Sequence, residues 1–288
     1  MIEQALLQHL QSQAVLRPFL TTYGDDDTMA IFNQKAPDDK DSFWGKGVQY
    51  GRIVFAVDLQ GDPERTMGGL LTVDILCNGD EQFPEDIEPI IRALIHGWFF
   101  SSGTFTVSAQ WKASNYFDQP PEKVTGCTVT FDLLAFPILT TANPDVIARF
   151  NAWSAELPSI HVINHDPLPA AAWRPTGDEI AVYWRVASQA PAKWIRDTYH
   201  TLWRMATVKG HIFAENPETA AIVASDLAVK LHAVKRLLKP GEVPIMTHRN
   251  NTVNSGADSL KTGQLTVEAT YAVIVPHRCD GTINNINY

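Results

Sequence analysis

The amino-acid sequence predicts an α+β protein made of two tandem modules, each a mainly antiparallel sheet of about four strands packed against one or two helices. Its 288 residues suit two ordinary domains, since domains usually contain about 100 to 150 residues. Apolar residues recur at helical spacing in some stretches and alternate with polar residues in others. The order of these helix and strand patterns runs twice along the chain, which predicts the tandem arrangement.

The first module is predicted over residues 1–141. Apolar residues from Ile2 to Val15 recur at helical spacing before Pro18 interrupts them. Glu85 and Asp86 favour the N-terminus of a second helix, because acidic side chains complement the helix dipole there. The predicted elements after the first helix are strands over residues 52–59 and 70–77, a helix over 84–100, and strands over 104–111 and 127–136.

The second module is predicted over residues 142–288 with the same order of elements. Asn143-Pro144-Asp145 predicts a capped helix start. Residues 192–206 have apolar side chains at helix-like spacing and predict a helical insertion, and residues 281–288 predict a C-terminal arm. The alternative is a single α+β domain. The remaining predicted elements are strands over residues 179–187 and 208–214, a helix over 216–239, and strands over 243–254 and 265–275.

The composition argues against several classes of protein. A formal net charge of −9 provides no extended basic surface for nucleic acid. The longest apolar stretches are too short for a membrane span. The opening Met1-Ile2-Glu3-Gln4 has no basic region of a secretory signal, so we expect a protein made in the cytoplasm. The three cysteines have no CxxC spacing and are expected to be reduced and structural.

Candidate catalytic residues are sparse, and we expect no enzyme, no cofactor and no metal site. The sequence lacks the GxSxG, HExxH, GxGxxG and GxxxxGK[ST] patterns. His161 and the pair His165-Asp166 could orient a base or bind a metal ion, although no third ligand stands at suitable spacing. Asp74 and Asp132 alternate with apolar residues on predicted strands, which favours the solvent face.

Residues 1–136 resemble the tail-terminator and tail-completion proteins of long-tailed bacteriophages. The resemblance rests on the opening helix Ile2-Glu3-Gln4-Ala5-Leu6-Leu7 and on Ile31-Phe32-Asn33-Gln34-Lys35-Ala36-Pro37-Asp38-Asp39, which is similar to the loop before the family's first sheet strand. The strand pair, the helix with an acidic start and the closing strands follow in the family's order. Family members are commonly one module long, so two modules depart from the pattern.

The resemblance implies a structural virion protein that forms a ring at the tail end or the head–tail neck of a phage. Such a ring stops tube growth and joins tail to head. The implied partners are copies of the chain itself, as six chains or as three with pseudo-six-fold symmetry, the tail-tube protein and the head–tail connector protein. DNA would only pass through the lumen, no membrane is involved, and the protein would reside in the virion after assembly in the host cytoplasm.

We expect neighbours to be contacted through sheet edges, acidic loops and aromatic residues in loops. Closed rings need head-to-tail contacts, which strand edges and long loops can supply. The acidic loops could line a lumen for DNA, although acidic runs usually remain solvated. The candidate interface residues are Asp25, Asp26, Asp27, Asp38, Asp39, Phe43, Trp44, Tyr116, Phe117 and Tyr288.

A second hypothesis comes from the same aromatic residues. A minor tail or baseplate protein, or a carbohydrate-binding module, could use exposed rings to stack on sugars. Ring assembly predicts large oligomers, whereas a sugar binder predicts a monomer that a glycan protects.

Overall fold

A computed structural model of the chain describes residues 2–24, 28–45, 48–60, 68–79, 82–102, 105–119, 123–137, 144–193, 195–198, 200–237, 245–247 and 251–275. The predicted α+β class is confirmed, with helices packed on mainly antiparallel sheets. Two compact units divide the chain: Met1–Pro137 with Asp166–Arg174, and Ile138–His165 with Pro175–Tyr288. The predicted boundary at 141/142 lies outside the described residues, and it does not account for Asp166–Arg174, which belongs to the first unit.

The first unit contains one seven-stranded sheet and two α-helices among its described residues. The sheet is antiparallel except at one edge, where β3 runs parallel to β4. Its order is β10-β6-β7-β8-β5-β4-β3. The elements are α1 (Ile2–Gln11), β1 (Thr22–Tyr23), β2 (Thr28–Met29), β3 (Ile31–Asn33), β4 (Arg52–Leu59), β5 (Gly69–Asn78), α2 (Pro84–Ile95), β6 (Phe99–Ser101), β7 (Thr106–Gln119), β8 (Val124–Ala135) and β10 (Ala172–Trp173).

The core of the first unit lies between one face of this sheet and the two helices. Alternation along β5 buries Val73 and Ile75 against α2, whose Ile87 and Ile91 are fully buried. Pro84 opens α2 and Glu85 follows in its first turn, as the sequence predicts. Because strand side chains alternate, the intervening residues of β4, β5 and β8 face the opposite side of the sheet.

The second unit contains a sheet in the order β13-β14-β16-β12-β11-β9, with β15 also paired to β16. It is antiparallel except that β9 runs parallel to β11. The Asp145 and Asn216 side chains cap α3 and α4. The elements are α3 (Val146–Ala155), β9 (Ile160–Val162), β11 (Ile180–Pro191), β12 (Thr201–Phe213), α4 (Pro217–Val234), β13 (Arg236–Leu237), β14 (Ile245–Thr247), β15 (Thr252–Val253) and β16 (Leu265–Ile274).

The two units repeat one topology. In each, a helix precedes a short strand that lies parallel to the first strand of a long hairpin, and a second helix separates the hairpin from a closing strand pair. The corresponding sheet orders are β3-β4-β5-β8-β7 and β9-β11-β12-β16-β14. The repeated order of elements in the sequence therefore corresponds to a repeated arrangement of strands.

The predicted helical insertion at residues 192–206 is wrong. Residues 201–206 belong to β12, and the residues described between Pro191 and Thr201 form the turn of the β11–β12 hairpin. Asp197 Oδ1 accepts from the Trp203 backbone N–H at 2.6 Å, and the Ala192 N–H donates to the Trp203 carbonyl at 2.9 Å. Ile195 within the turn and Leu202 and Trp203 on β12 together produced the helix-like spacing, whereas Trp and Thr favour strands.

Candidate interaction surface

The strand β7 forms an open sheet edge at residues 112–119. β8 pairs with β7 along its length, whereas β6 reaches only residues 106–108. The Trp111 N–H donates to His96 Nδ1 at 3.1 Å and so is already satisfied. In the part of the chain that the structure describes, no strand pairs with the other side of residues 112–119. This segment, here called the β7 edge, presents alternate backbone donors and acceptors to another strand.

Two aromatic side chains are exposed beside the β7 edge. Trp111 is 40% exposed and Tyr116 is 50% exposed. Arg92 on α2 stacks over the Trp111 ring, with 5.0 Å between the guanidinium carbon and the ring centroid. Trp, Tyr and Arg are the residues most enriched at energetically dominant interface positions. These three residues are called the aromatic patch below.

A buried carboxylate fixes the orientation of the aromatic patch. Glu88 on α2 is 4% exposed, and its Oε1 accepts from the Ser114 hydroxyl at 2.6 Å. Ser114 Oγ in turn accepts from Trp111 Nε1–H at 3.0 Å, while Arg92 Nε lies 3.9 Å from Glu88. Partial burial and then the nearby Cys127 and carboxylates raise the pKa of the Tyr116 phenol. The patch therefore combines two aromatic rings with the Arg92 guanidinium above a buried carboxylate.

Phe117 lies on the opposite face of the same edge. Its ring crosses over Gly126, its register partner on β8. A Cβ atom on Gly126 would stand 2.3 Å from Phe117 Cζ, so the position requires glycine. Together with Leu76 and Gln119, the ring lines an open depression of about 570 Å³ on the sheet face turned away from the helices.

The acidic loop after β3 is more internally bonded than the sequence suggests. Asp39 Oδ1 pairs with Arg52 Nη1 at 2.5 Å, and its other oxygen accepts from the Tyr50 hydroxyl at 3.2 Å. Asp38 Oδ1 accepts from the Lys40 N–H at 2.9 Å. These two carboxylates hold turns of the loop, and the charge of Asp39 is already compensated.

Phe43 and Trp44, both candidate interface residues, have opposite surroundings. Phe43 is 52% exposed, whereas Trp44 is only 4% exposed and donates from Nε1 to the Asp38 carbonyl at 2.9 Å. Trp44 packs against Tyr23 and Phe32. Its assignment as an interface side chain is therefore corrected: the ring supports the loop from inside, because it completes an aromatic cluster and satisfies its N–H there. Asp25, Asp26, Asp27 and Tyr288 lie outside the described residues.

The second unit has an open edge that sequence reasoning missed. β9 pairs with β11 only at residues 180–182, so residues 185–191 have no strand on that side in the described part of the chain. Residues 187–189 are exposed. The long alternation of β11 and β12 could have indicated this hairpin, had residues 192–206 not been assigned to a helix.

The solvent-facing side of α4 carries two large apolar side chains. Ile222 is 63% exposed and Val229 is 68% exposed. They lie two turns apart on one helix face, while Leu227 and Leu231 pack into the core. Ser225 and Asp226 are also exposed on this helix, and Asp226 pairs with Lys230, so the outer side of α4 mixes apolar and polar side chains.

Among the described residues, no group of three or more His, Cys, Asp or Glu side chains is placed to hold a metal ion. His161 Nε2 lies 4.0 Å from Glu179 Oε1, but no third ligand joins them in the ranges described. Burial raises the pKa of Cys77 to about 12 and that of Cys127 to about 11, so both thiols are unreactive near neutral pH. Asp74 and Asp132 face away from the core, as predicted, and bond to Thr128 and Lys112.

No protein-family model matches the chain, and no curated protein matches it either. Among the residues described, no helix is both long enough and apolar enough to cross a lipid bilayer.

Proposed function

We propose that this chain is a non-catalytic structural protein of a long-tailed phage virion. It forms a ring at the tail end or the head–tail neck, stops growth of the tail tube and joins tail to head. Its partners are other copies of the chain, the tail-tube protein and the head–tail connector protein. The ring contains six chains, or three chains whose paired units approximate six-fold symmetry.

The repeated topology with two open strand edges carries this proposal. The β7 edge in the first unit and residues 185–191 of β11 in the second each expose one side of a long strand. Different edges on the same chain allow head-to-tail contacts, which form a ring when the rotation between neighbouring chains closes. The resemblance of residues 1–136 to tail terminators supplies the biological setting.

The aromatic patch and the exposed Phe43 ring supply side-chain anchors for these contacts. Strand pairing through the backbone gives affinity with little sequence specificity, whereas aromatic and arginine side chains add specificity. The patch adjoins the β7 edge, so one neighbour can engage both. The negative net charge suits a conduit that DNA crosses without sticking.

The decisive experiment measures the mass of the purified protein, alone and after mixing with purified tail-tube protein. We expect species at whole multiples of the 32.0 kDa chain, ring-shaped particles by electron microscopy, and caps on tube ends. Trp111→Ala together with Tyr116→Ala should shift the mass distribution toward the monomer. Val15→Ala, which removes an exposed apolar side chain outside the patch, should leave it unchanged.

A strict monomer that ignores tail tubes would overturn the proposal. Stabilisation of such a monomer by an oligosaccharide, lost on Trp111→Ala, would instead support the carbohydrate-binding hypothesis. The exposed pair Trp111 and Tyr116 is the observation that keeps that hypothesis open to test.

A further inference from the structure

The depression on the outer face of the first unit's sheet is a second surface, distinct from the β7 edge and the aromatic patch. Val54, Asp74 and Thr128 lie on neighbouring strands and form its floor. The segment after β3 forms one wall, and Phe117 with Gln119 forms the other. Its volume of about 570 Å³ falls within the range typical of ligand pockets.

Two uncompensated charges of opposite sign line this depression. Asp74 Oδ1 accepts from the Thr128 hydroxyl at 2.6 Å, which fixes the carboxylate and leaves Oδ2 open to a donor. Lys35 is exposed on the wall. Within the described residues neither side chain forms an ion pair, whereas the neighbouring Arg52 is compensated by Asp39. The depression therefore offers one cation and one anion to a ligand.

Both walls are held in place before any ligand arrives. The Gln34 N–H donates to the Phe55 carbonyl at 2.7 Å, and the Lys35 N–H donates to the Asn33 carbonyl at 2.8 Å. On the other side, the close seating of the Phe117 ring on Gly126 fixes the aromatic wall. A preformed site loses little conformational entropy on binding.

We infer that the depression binds an extended peptide segment that carries an acidic and a basic side chain on the same face. The acidic side chain pairs with Lys35 and the basic one with Asp74. In an extended chain, residues i and i+2 point the same way about 7 Å apart, so one short segment can present both charges.

The remaining lining suits the peptide between those charges. The side-chain amides of Gln34 and Gln119 can each donate to and accept from a peptide backbone. Leu76, Val54 and Phe117 provide apolar surface for the aliphatic parts of the two charged side chains. This inference does not depend on ring formation, since it concerns a different face of the first unit.

The test is an NMR titration of the full-length protein, labelled at its leucine and valine methyl groups. The ligand is a five-residue peptide that is acetylated and amidated at its ends and has glutamate at position two and lysine at position four. We expect saturable shifts of the Leu76 and Val54 methyl resonances, with those of Leu265 and Val267 in the second unit's core unchanged. Asp74→Asn and Lys35→Gln should each weaken binding about two- to fivefold, as loss of one partly exposed ion pair implies. Lys112→Gln, which removes a lysine already paired with Asp132, serves as the matched control.

Charge reversal keeps the test independent of any general damage to the fold. Lys35→Glu should lose affinity for this peptide and regain it for one with lysine at both positions. Equal binding of a peptide with glutamine at both positions, shifts confined to the second unit, or no saturable shift at millimolar peptide would each overturn the inference.

Discussion

Phe117 and its cross-strand partner Gly126 are packed so closely that the phenyl ring occupies the volume of the missing side chain. A Cβ atom on Gly126 would stand 2.3 Å from Phe117 Cζ and 2.8 Å from the Ile75 carbonyl oxygen. We therefore predict that Gly126→Ala lowers the free energy of unfolding by about 1–3 kcal/mol, because the ring and the neighbouring strand must shift. Denaturant unfolding of the variant measures this loss.

The double variant separates the two close contacts of Gly126. Phe117→Ala in the Gly126→Ala background should recover part of the lost stability, since the ring contact is gone while the contact with the Ile75 carbonyl remains. Gly256→Ala is the control, because its added Cβ meets nothing closer than 3.8 Å. Strictly additive losses for Gly126→Ala and Phe117→Ala would contradict the proposed packing.

Glu88 is the buried support of the aromatic patch, and its removal should be costly. Glu88→Ala leaves the Ser114 hydroxyl without its acceptor and removes the carboxylate 3.9 Å from Arg92 Nε. We expect a loss of about 1–3 kcal/mol in the free energy of unfolding, as for other unsatisfied buried polar groups. Glu88→Gln keeps an acceptor for Ser114 and should cost less.

The matched control for Glu88 is Glu85→Gln, on the exposed side of the same helix. Glu85→Gln should lower the free energy of unfolding by less than about 1 kcal/mol, since only a helix-dipole interaction is weakened. The prediction fails if Glu88→Ala and Glu85→Gln have the same effect.

A buried hydrogen bond joins α3 to the sheet of the second unit. Trp184 Nε1–H donates to Ser154 Oγ at 2.8 Å, and both side chains are at most 1% exposed. Ser154→Ala should therefore cost about 1–3 kcal/mol, because the indole N–H loses its partner in a dry core.

Unfolding measurements on Ser225→Ala provide the comparison for Ser154. Ser225 is exposed on α4, and its hydroxyl donates to the Ala221 carbonyl within its own helix at 3.1 Å. Ser225→Ala should change the free energy of unfolding by no more than about 0.5 kcal/mol. Equal effects of the two substitutions would indicate that the Trp184 N–H finds water or another acceptor.

The long elements of this fold are predictable from sequence because their periodicity is uninterrupted. The hairpin of β4 and β5 and the start of α2 at Pro84 match the patterns read from residue types alone. Residues 192–206 were misassigned because Ile195 in the turn and Leu202 and Trp203 on β12 happen to fall at helix-like spacing. Local spacing does not distinguish such a turn from a helix, whereas the pairing of β12 with β11 and β16 does.

The candidate surface was predictable only in part. Tyr116 and Phe117 were identified as aromatic residues in a loop-like setting, yet they lie on a strand and point to opposite faces of it. Residue type alone could not show that Trp44 is buried and Phe43 exposed, since both are aromatic and both lie in a polar loop. Its burial depends on Tyr23 and Phe32, which are distant in sequence. The depression likewise depends on strand register, which residue types do not specify.

His9 makes the first unit sensitive to mild acid. It is 8% exposed on α1, its Nε2 lies 2.9 Å from the Leu94 carbonyl, and its ring packs 4.1 Å from that of Trp98. Burial lowers the pKa of His9, and the hydrogen bond to the Leu94 carbonyl offsets part of that shift. Since the folded pKa lies below the ordinary value of about 6.5, the unfolded chain takes up the proton first as pH falls. The contribution of neutral, buried His9 to the free energy of unfolding is therefore complete above about pH 6.5, and it declines as the pH falls below that value.

Hydrogen exchange at pH 7.5, 6.5 and 5.5 tests the predicted loss of stability on acidification. Protection factors for α1 should fall with pH in the wild type and fall less in His9→Gln, which keeps a side-chain donor but does not titrate. Burial and the neighbouring Arg92 also lower the pKa of His96, so His9→Gln together with His96→Gln should flatten the dependence further. Amides of α3 in the second unit serve as the internal control. If the wild type and His9→Gln lose protection equally on acidification, His9 is not the group that responds.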